Sequence, residues 1–147
     1  MDDHPIARVR REHRAVEQEL RRLVRMVGAN PPRTMLAPAV SDFVGRCGCR
    51  IEPHFELEER RIYPHLRECL GEGNGAVDEA IREHDTLREL IGLLRLRSDR
   101  LRLGTRDSSP DVAETIRDLE TLWHAHAHRV DAVMAPLLKT LKEEPHG

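Results

Sequence analysis

Hydrophobic residues recur every three or four positions along most of the chain, the spacing that places them on one face of an α-helix. Segments rich in helix breakers interrupt this pattern at Asn30-Pro31-Pro32, at Gly71–Gly75 and at Gly104–Pro110. The pattern therefore predicts four long amphipathic helices. Because short links between long helices favour antiparallel neighbours, we expect an all-α, up-down-up-down four-helix bundle, with residues 1–147 forming one domain.

The two halves of the chain resemble each other. Arg11-Glu12-His13 returns as Arg82-Glu83-His84, 71 residues later. The segment that begins at His54 and contains Tyr63-Pro64 aligns with the segment that begins at His126, 72 residues later. The sequence thus predicts two helical hairpins of similar design, with one histidine of each helix at a matching position.

The composition agrees with helices and narrows the classes of function. Aromatic residues make up only 3% of the chain and charged residues 34%, so Leu, Val and Ile must supply most of the core. A formal net charge of -2 argues against a general attraction to nucleic acid or to an acidic membrane. The three cysteines lack zinc-finger spacing, and neither a membrane span nor a signal-peptide core is visible, which predicts a cytoplasmic protein.

A histidine interrupts each apolar stripe near its middle: His13, His54, His84 and His126. Glu58 follows His54 by four residues, so both side chains share one helix face. A lone core histidine is usually just a satisfied polar residue, but four histidines and a carboxylate are costly to bury unless something pairs them. Imidazole and carboxylate ligands without thiolate suit iron, manganese or zinc. The sequence therefore predicts a metal centre in the bundle core.

These motifs, with the Tyr63-Pro64 pair and a final His-x-x-x-x-Asp at 126–131, resemble the hemerythrin family, including its bacterial cation-binding domains. The resemblance covers nearly the whole chain. It implies two iron ions, Fe2+ or Fe3+, with an oxo or hydroxo bridge. It also implies that the four histidines are terminal ligands and that Glu58 and Asp131 are bridging carboxylates.

One position departs from the oxygen-carrying members of that family. They have a second histidine one turn after the third-helix ligand, where this chain has Arg88. Either one coordination position is open or another side chain fills it, and Glu59 and Tyr63 are the candidate additional ligands. Residues within a turn of the ligands form the candidate ligand pocket: Ile51, Ile62, Leu87, Arg88, Trp123 and Val130.

The resemblance implies several functions. The first is a non-haem di-iron protein that binds or senses oxygen or a related small ligand, because two ferrous ions can together give two electrons to oxygen. The second is a di-iron enzyme that decomposes peroxide, with Arg88 steering an anionic ligand, or a protein that handles nitric oxide or iron. The third is a metal-binding bundle without redox chemistry. The expected partners are small ligands such as oxygen, peroxide or nitric oxide, with neither nucleic acid nor membrane.

Overall fold

A computed structural model of the chain contains four helical rods, which confirms the all-α four-helix class. The structure describes residues 4–71, 75–104 and 109–143, apart from the side chains at 48 and 138–143. The first two rods are α1 (Pro5–Gly28) and α2 (Arg33–Leu57), and α2 continues through a π-helical turn (Glu58–Ile62) into α3 (Tyr63–Leu70). The other two rods are α4 (Ala76–Leu103) and α5 (Ser109–Glu143).

The helix ends have local causes. The Ile6 N–H donates to Nδ1 of His4 at 3.2 Å, which caps the first turn of α1. Asn30, Gly71 and Gly104 adopt positive φ angles of 52°, 85° and 68°, so the chain turns away after α1, α3 and α4. The three predicted breaks are therefore confirmed, although residues 72–74 and 105–108 lie outside the described residues.

The beginning of α2 is held against the end of α4. The Arg33 guanidinium donates to the carbonyl oxygens of Leu101, at 3.0 Å, and Arg102, at 3.4 Å. These carbonyls belong to the last turn of α4, which lacks intrahelical partners and carries negative partial charge. A Cβ atom at residue 104 would lie 2.7 Å from Nη1 of Arg33, so Gly104 permits both the turn and this close approach.

The π-helical turn changes the register of the second rod. The Tyr63 N–H donates to the carbonyl of Glu58, five residues back, so this turn holds one residue more than an α-helical turn. In an undisturbed α-helix, a five-residue step would turn Tyr63 about 140° away from Glu58. Here both side chains are buried, with exposures of 2% and 0%. The turn thus brings a second polar side chain from the same rod into the core.

Two apolar clusters fill the bundle, one on each side of a polar layer. The larger cluster includes Leu20, Phe43 and Leu94, and the smaller includes Leu66 and Met134. On each rod, the histidine predicted to be a ligand lies between residues of the two clusters. No helix among the described residues combines the length and the apolar character that crossing a membrane requires.

Candidate metal centre

The Glu58 carboxylate lies at the middle of the polar layer and is completely buried. All four stripe histidines surround it and are no more than 1% exposed. Their Nε2 atoms face its oxygens at 2.7 Å for His54, 3.3 Å for His84, 3.6 Å for His13 and 3.7 Å for His126. The structure therefore brings these five residues, one or more from every rod, to one place.

The five residues divide into two sets that share Glu58. The first ligand group is His13, His54 and Glu58, and the second ligand group is Glu58, His84 and His126. Within each group, the ligand atoms all lie within 4.8 Å of one another. A carboxylate between two pairs of imidazoles is a donor arrangement suited to two neighbouring ions with a common bridge.

Each of the four imidazoles also has a carboxylate at its other nitrogen, Nδ1. These outer carboxylates pair as Glu12 with His54 at 3.0 Å, Glu83 with His126 at 3.0 Å, Asp131 with His13 at 2.9 Å, and Glu59 with His84 at 3.2 Å. The four contacts join α1 to α2, the π-helical turn to α4, α4 to α5, and α5 to α1, and so run once around the bundle. A carboxylate at Nδ1 keeps the proton there and leaves the Nε2 lone pair for a metal ion.

The inward nitrogens fit a metal because they lack hydrogen-bond partners. Nε2 of His13, His54 and His126 is buried without such a partner. Although Nε2 of His54 is 2.7 Å from Oε1 of Glu58, the contact is close in distance but not directed as a hydrogen bond. Buried nitrogens without partners cost free energy, and coordination to a cation would remove that cost. The residues present therefore fit a metal ion.

The electrostatics of the centre also favour a cation. Burial raises the pKa of Glu58, but the charge of His54 and hydrogen bonds from His126 and His13 outweigh it and hold the pKa well below its usual range. Burial lowers the pKa of His54, but Glu58 and Glu12 outweigh this effect and raise the pKa to about 9. Without metal the centre thus holds a carboxylate anion and a bound proton that a metal cation would replace.

Tyr63 lies inside the centre. Its hydroxyl donates to Oε2 of Glu58 at 3.1 Å and lies 3.0 Å from Nε2 of His84. The Tyr63 and His84 rings are nearly parallel, with centroids 5.5 Å apart. Burial, with the adjacent Glu58 carboxylate, raises the pKa of Tyr63, so the phenol keeps its proton. Of the two candidate additional ligands, Tyr63 is thus the one whose oxygen reaches the second ligand group.

A comparison with protein families agrees with this geometry. The sequence profile of the hemerythrin HHE cation binding domain matches residues 4–138, which include every residue of the centre. The chain belongs to the hemerythrin family. With its two clusters of histidine and glutamate, this HHE domain is a metal-binding helical bundle. No curated protein and no solved structure matches it significantly.

Two acidic residues of this HHE domain lie outside both ligand groups. Asp131, which the resemblance implies as a bridge, instead contacts Nδ1 of His13, and its side chain is 28% exposed. The reason is that α5 is regular here, so five residues turn Asp131 about 140° from His126. Glu59, the other candidate additional ligand, likewise contacts the outer nitrogen of His84. Both residues position imidazoles in the structure and do not contribute oxygens to the centre.

Arg88 also lies outside the centre, contrary to its predicted place in the ligand pocket. Its guanidinium donates to the Glu52 carboxylate, with the shortest contact at 2.9 Å, and lies 5.1 Å from the ring centroid of Phe55. Phe55 stacks on His84 with centroids 4.1 Å apart and therefore separates Arg88 from the centre. The buried stripe of α4 passes from His84 to Leu87, which leaves Arg88 at its edge.

The other five pocket candidates are buried, but they are divided between the two apolar clusters. The larger cluster contains Ile51, Leu87 and Trp123, and the smaller contains Ile62 and Val130. The Trp123 indole N–H donates to the backbone carbonyl of His13 at 3.1 Å. Trp123 is thereby fixed beside the first ligand group, 5.9 Å from the His13 ring and 5.7 Å from the His54 ring.

A small cavity adjoins the second ligand group. It is lined by Tyr63 and Val130 together with residues of α3, α4 and α5, among them Leu66, Ala80 and Arg129. Its volume is about 10 Å³, which is roughly the space of one water molecule. The lining is mostly apolar, so the cavity suits an uncharged molecule of two or three atoms.

Three functional residues were not predicted: Glu12, Glu83 and Phe55. The signal for the first two was present, because Glu12 and Glu83 are the middle residues of the repeated Arg-Glu-His triplet. Phe55 gave no such signal. It follows His54 directly and lies off the predicted stripe, yet it is completely buried because its ring packs on a histidine of another rod.

Proposed function

We propose that this HHE domain holds two iron ions and binds or senses oxygen or a related small ligand at the buried centre. The observation that carries the proposal is that Glu58 belongs to both ligand groups. One ion would be held by His13 and His54, the other by His84 and His126, and Glu58 would bridge them. Iron accepts imidazole and carboxylate ligands, and a ferrous pair would supply two electrons to oxygen.

The surroundings of the centre support a small ligand. Apolar clusters border the centre on both sides and keep water away from it. The cavity beside Tyr63 and Val130 offers room for one small molecule next to the second ligand group. Tyr63, rather than Arg88, stands near the position that lacks a histidine, so we assign the missing donor of the second ion to its phenol oxygen.

The position of Tyr63 also favours a second candidate, the decomposition of peroxide. One peroxide is then reduced to two waters while another is oxidised to oxygen, so no outside reductant is needed. The Tyr63 hydroxyl keeps its proton and is oriented by Glu58, and it is therefore a suitable acid for the oxygen that is released. Arg88 has no part in this candidate, because its guanidinium is bound to Glu52 outside Phe55.

The deciding experiment is anaerobic reconstitution with ferrous iron, followed by metal analysis and stopped-flow mixing with oxygen and with peroxide. We expect about two irons per chain, since six donor-type side chains exceed what one ion needs. Spectral changes that reverse when oxygen is removed would support binding or sensing, and catalytic oxygen release from peroxide would support the enzyme. A single iron per chain after full reconstitution would refute the bridged pair.

A further inference from the structure

A second pair of histidines lies on the outer side of α5, away from the buried centre. His124 and His128 are four residues apart, so they share one face of the helix, opposite His126. Their rings are nearly parallel, at 15°, and their centroids are 6.0 Å apart. Both residues are exposed, and the side chain of His124 has an exposure of 52%.

A carboxylate of another rod orients one of these rings. Oε1 of Glu17, on α1, makes a close contact with Nδ1 of His124. The same oxygen accepts a hydrogen bond from Arg21 at 3.2 Å, and the Glu17 side chain is only 19% exposed. The carboxylate is therefore held in place. Its contact keeps the proton of His124 on Nδ1 and leaves the Nε2 lone pair free, the same arrangement that the outer carboxylates create in the core.

We propose that His124 and His128 form a surface site for a divalent late transition-metal ion, such as Ni2+, Cu2+ or Zn2+. Imidazole nitrogens are preferred ligands of these ions. Because both rings are exposed, rotation about their side-chain bonds can direct two nitrogens to one ion at about 2.1 Å. Water would complete the coordination shell. This inference does not depend on the function proposed for the buried centre.

Two other histidines of the chain serve as controls. His65 is exposed, with a side-chain exposure of 57%, but its nearest acidic group, Glu68, is 3.9 Å away and no histidine lies one turn from it. Cys69 does lie one turn from His65, so the exposed thiols must be blocked before any titration. His4 caps α1 and also has no histidine one turn away.

The test is calorimetric titration of the full chain with Ni2+, after its buried centre has been filled with oxidised iron and its thiols have been blocked with a maleimide. We expect one Ni2+ per chain in this class of site. His124→Gln and His128→Gln should each weaken binding by about tenfold or more, because the remaining imidazole loses the effective concentration of its partner. Glu17→Gln should weaken binding less, and His65→Gln and His4→Gln should leave it unchanged.

The iron content and the circular dichroism of each variant separate this site from the buried centre. Both should match the wild type, because His124 and His128 belong to neither ligand group. Unchanged Ni2+ affinity in His124→Gln and His128→Gln would overturn the proposal. An equal loss in His65→Gln, or a loss of iron together with the loss of Ni2+, would overturn it as well.

Discussion

The two ligand groups are alike at their outer side and different at their centre. The alignment that relates the hairpins maps the Glu12–His54 contact onto Glu83–His126, at 3.0 Å in each case. It also exchanges the two contacts between hairpins, since Glu59 and Asp131 are 72 residues apart. The imidazoles of both groups are therefore oriented by equivalent bonds.

The equivalence ends with the inner oxygens. Val130 occupies the position that corresponds to Glu58, and Ala135 the position that corresponds to Tyr63. Both inner oxygen donors thus come from the rod that contains the π-helical turn. The difference teaches that the repeated part of the sequence positions the imidazoles, whereas the unrepeated part makes the two groups chemically distinct, with a phenol beside one group and Trp123 beside the other.

Removal of Glu58 should have the largest effect on the centre. We expect Glu58→Ala to lose both bound ions, because the two ligand groups share this carboxylate. Glu59→Ala should keep both ions but bind them about 10–100-fold more weakly, as is usual when a partner of a metal-bound histidine is lost. Iron content after reconstitution and iron affinity by chelator competition measure the two effects.

The exposed Glu56→Ala is the matched control for these two variants, since Glu56 contributes to neither ligand group. It should behave like the wild type. Equal iron retention in the Glu58 and Glu59 variants would mean that the carboxylate shared by the two groups has been wrongly identified.

The second prediction tests whether the outer contacts are equivalent. Glu12→Gln and Glu83→Gln should each lower iron affinity by about 10–100-fold, and by similar factors, because each removes the charged acceptor from one histidine of its own hairpin. Chelator competition on both variants, side by side, measures this. A strong loss in one variant with none in the other would show that the resemblance between the hairpins does not extend to their energetics.

The third prediction separates the two groups. Tyr63→Phe removes only a hydroxyl, so we expect a change in stability of about 1 kcal/mol and an iron content close to that of the wild type. Azide should bind the oxidised centre more readily, and any visible absorption that a tyrosine ligand gives ferric iron should disappear. Quenching of the fluorescence of the single tryptophan, Trp123, by bound iron should stay unchanged, because that side chain adjoins the first ligand group. Reduced quenching or a loss of both irons would contradict this division.

The smallest effect is expected in the larger apolar cluster, where Cys47 corresponds to Leu119 and both are buried. Burial raises the pKa of the Cys47 thiol to about 12, so almost no thiolate is present at neutral pH. A thiol-specific dye should label Cys49 and Cys69, which are exposed, and reach Cys47 only after unfolding. Rapid labelling of all three cysteines in the folded protein would show that this half packs less tightly than its counterpart.

Periodicity was sufficient to predict the rods and the four histidines. Each histidine occupies a position where an apolar residue would otherwise continue the buried stripe, and Glu58 shares the face of His54 by simple helical spacing. The three breaks were equally visible, because Asn30, Gly71 and Gly104 take backbone angles that favour asparagine or glycine. These features depend on residues close together in the chain.

Periodicity failed where a side chain is positioned by another rod or by an irregular turn. Tyr63 reaches the centre only because of the extra residue in the π-helical turn, which a constant angle per residue does not reveal. Arg88 was placed wrongly because Glu52, on α2, binds it at the surface. Asp131 follows the family spacing, yet it contacts the outer nitrogen of His13 on a different rod. Contacts of this kind depend on the packing of helices, which spacing within one helix does not describe.

The π-helical turn has a consequence at the level of the gene. It differs from a regular turn by one amino acid, and so by a single codon. Deletion of one codon between Glu59 and Ile62 would leave His54 and Glu58 in register with the first half of the rod. Every later residue would rotate by about 100°, which would turn Tyr63 and Leu66 out of the core. A domain with a phenol at its centre and a domain without one are therefore separated by one in-frame event, with no exchange of any amino acid.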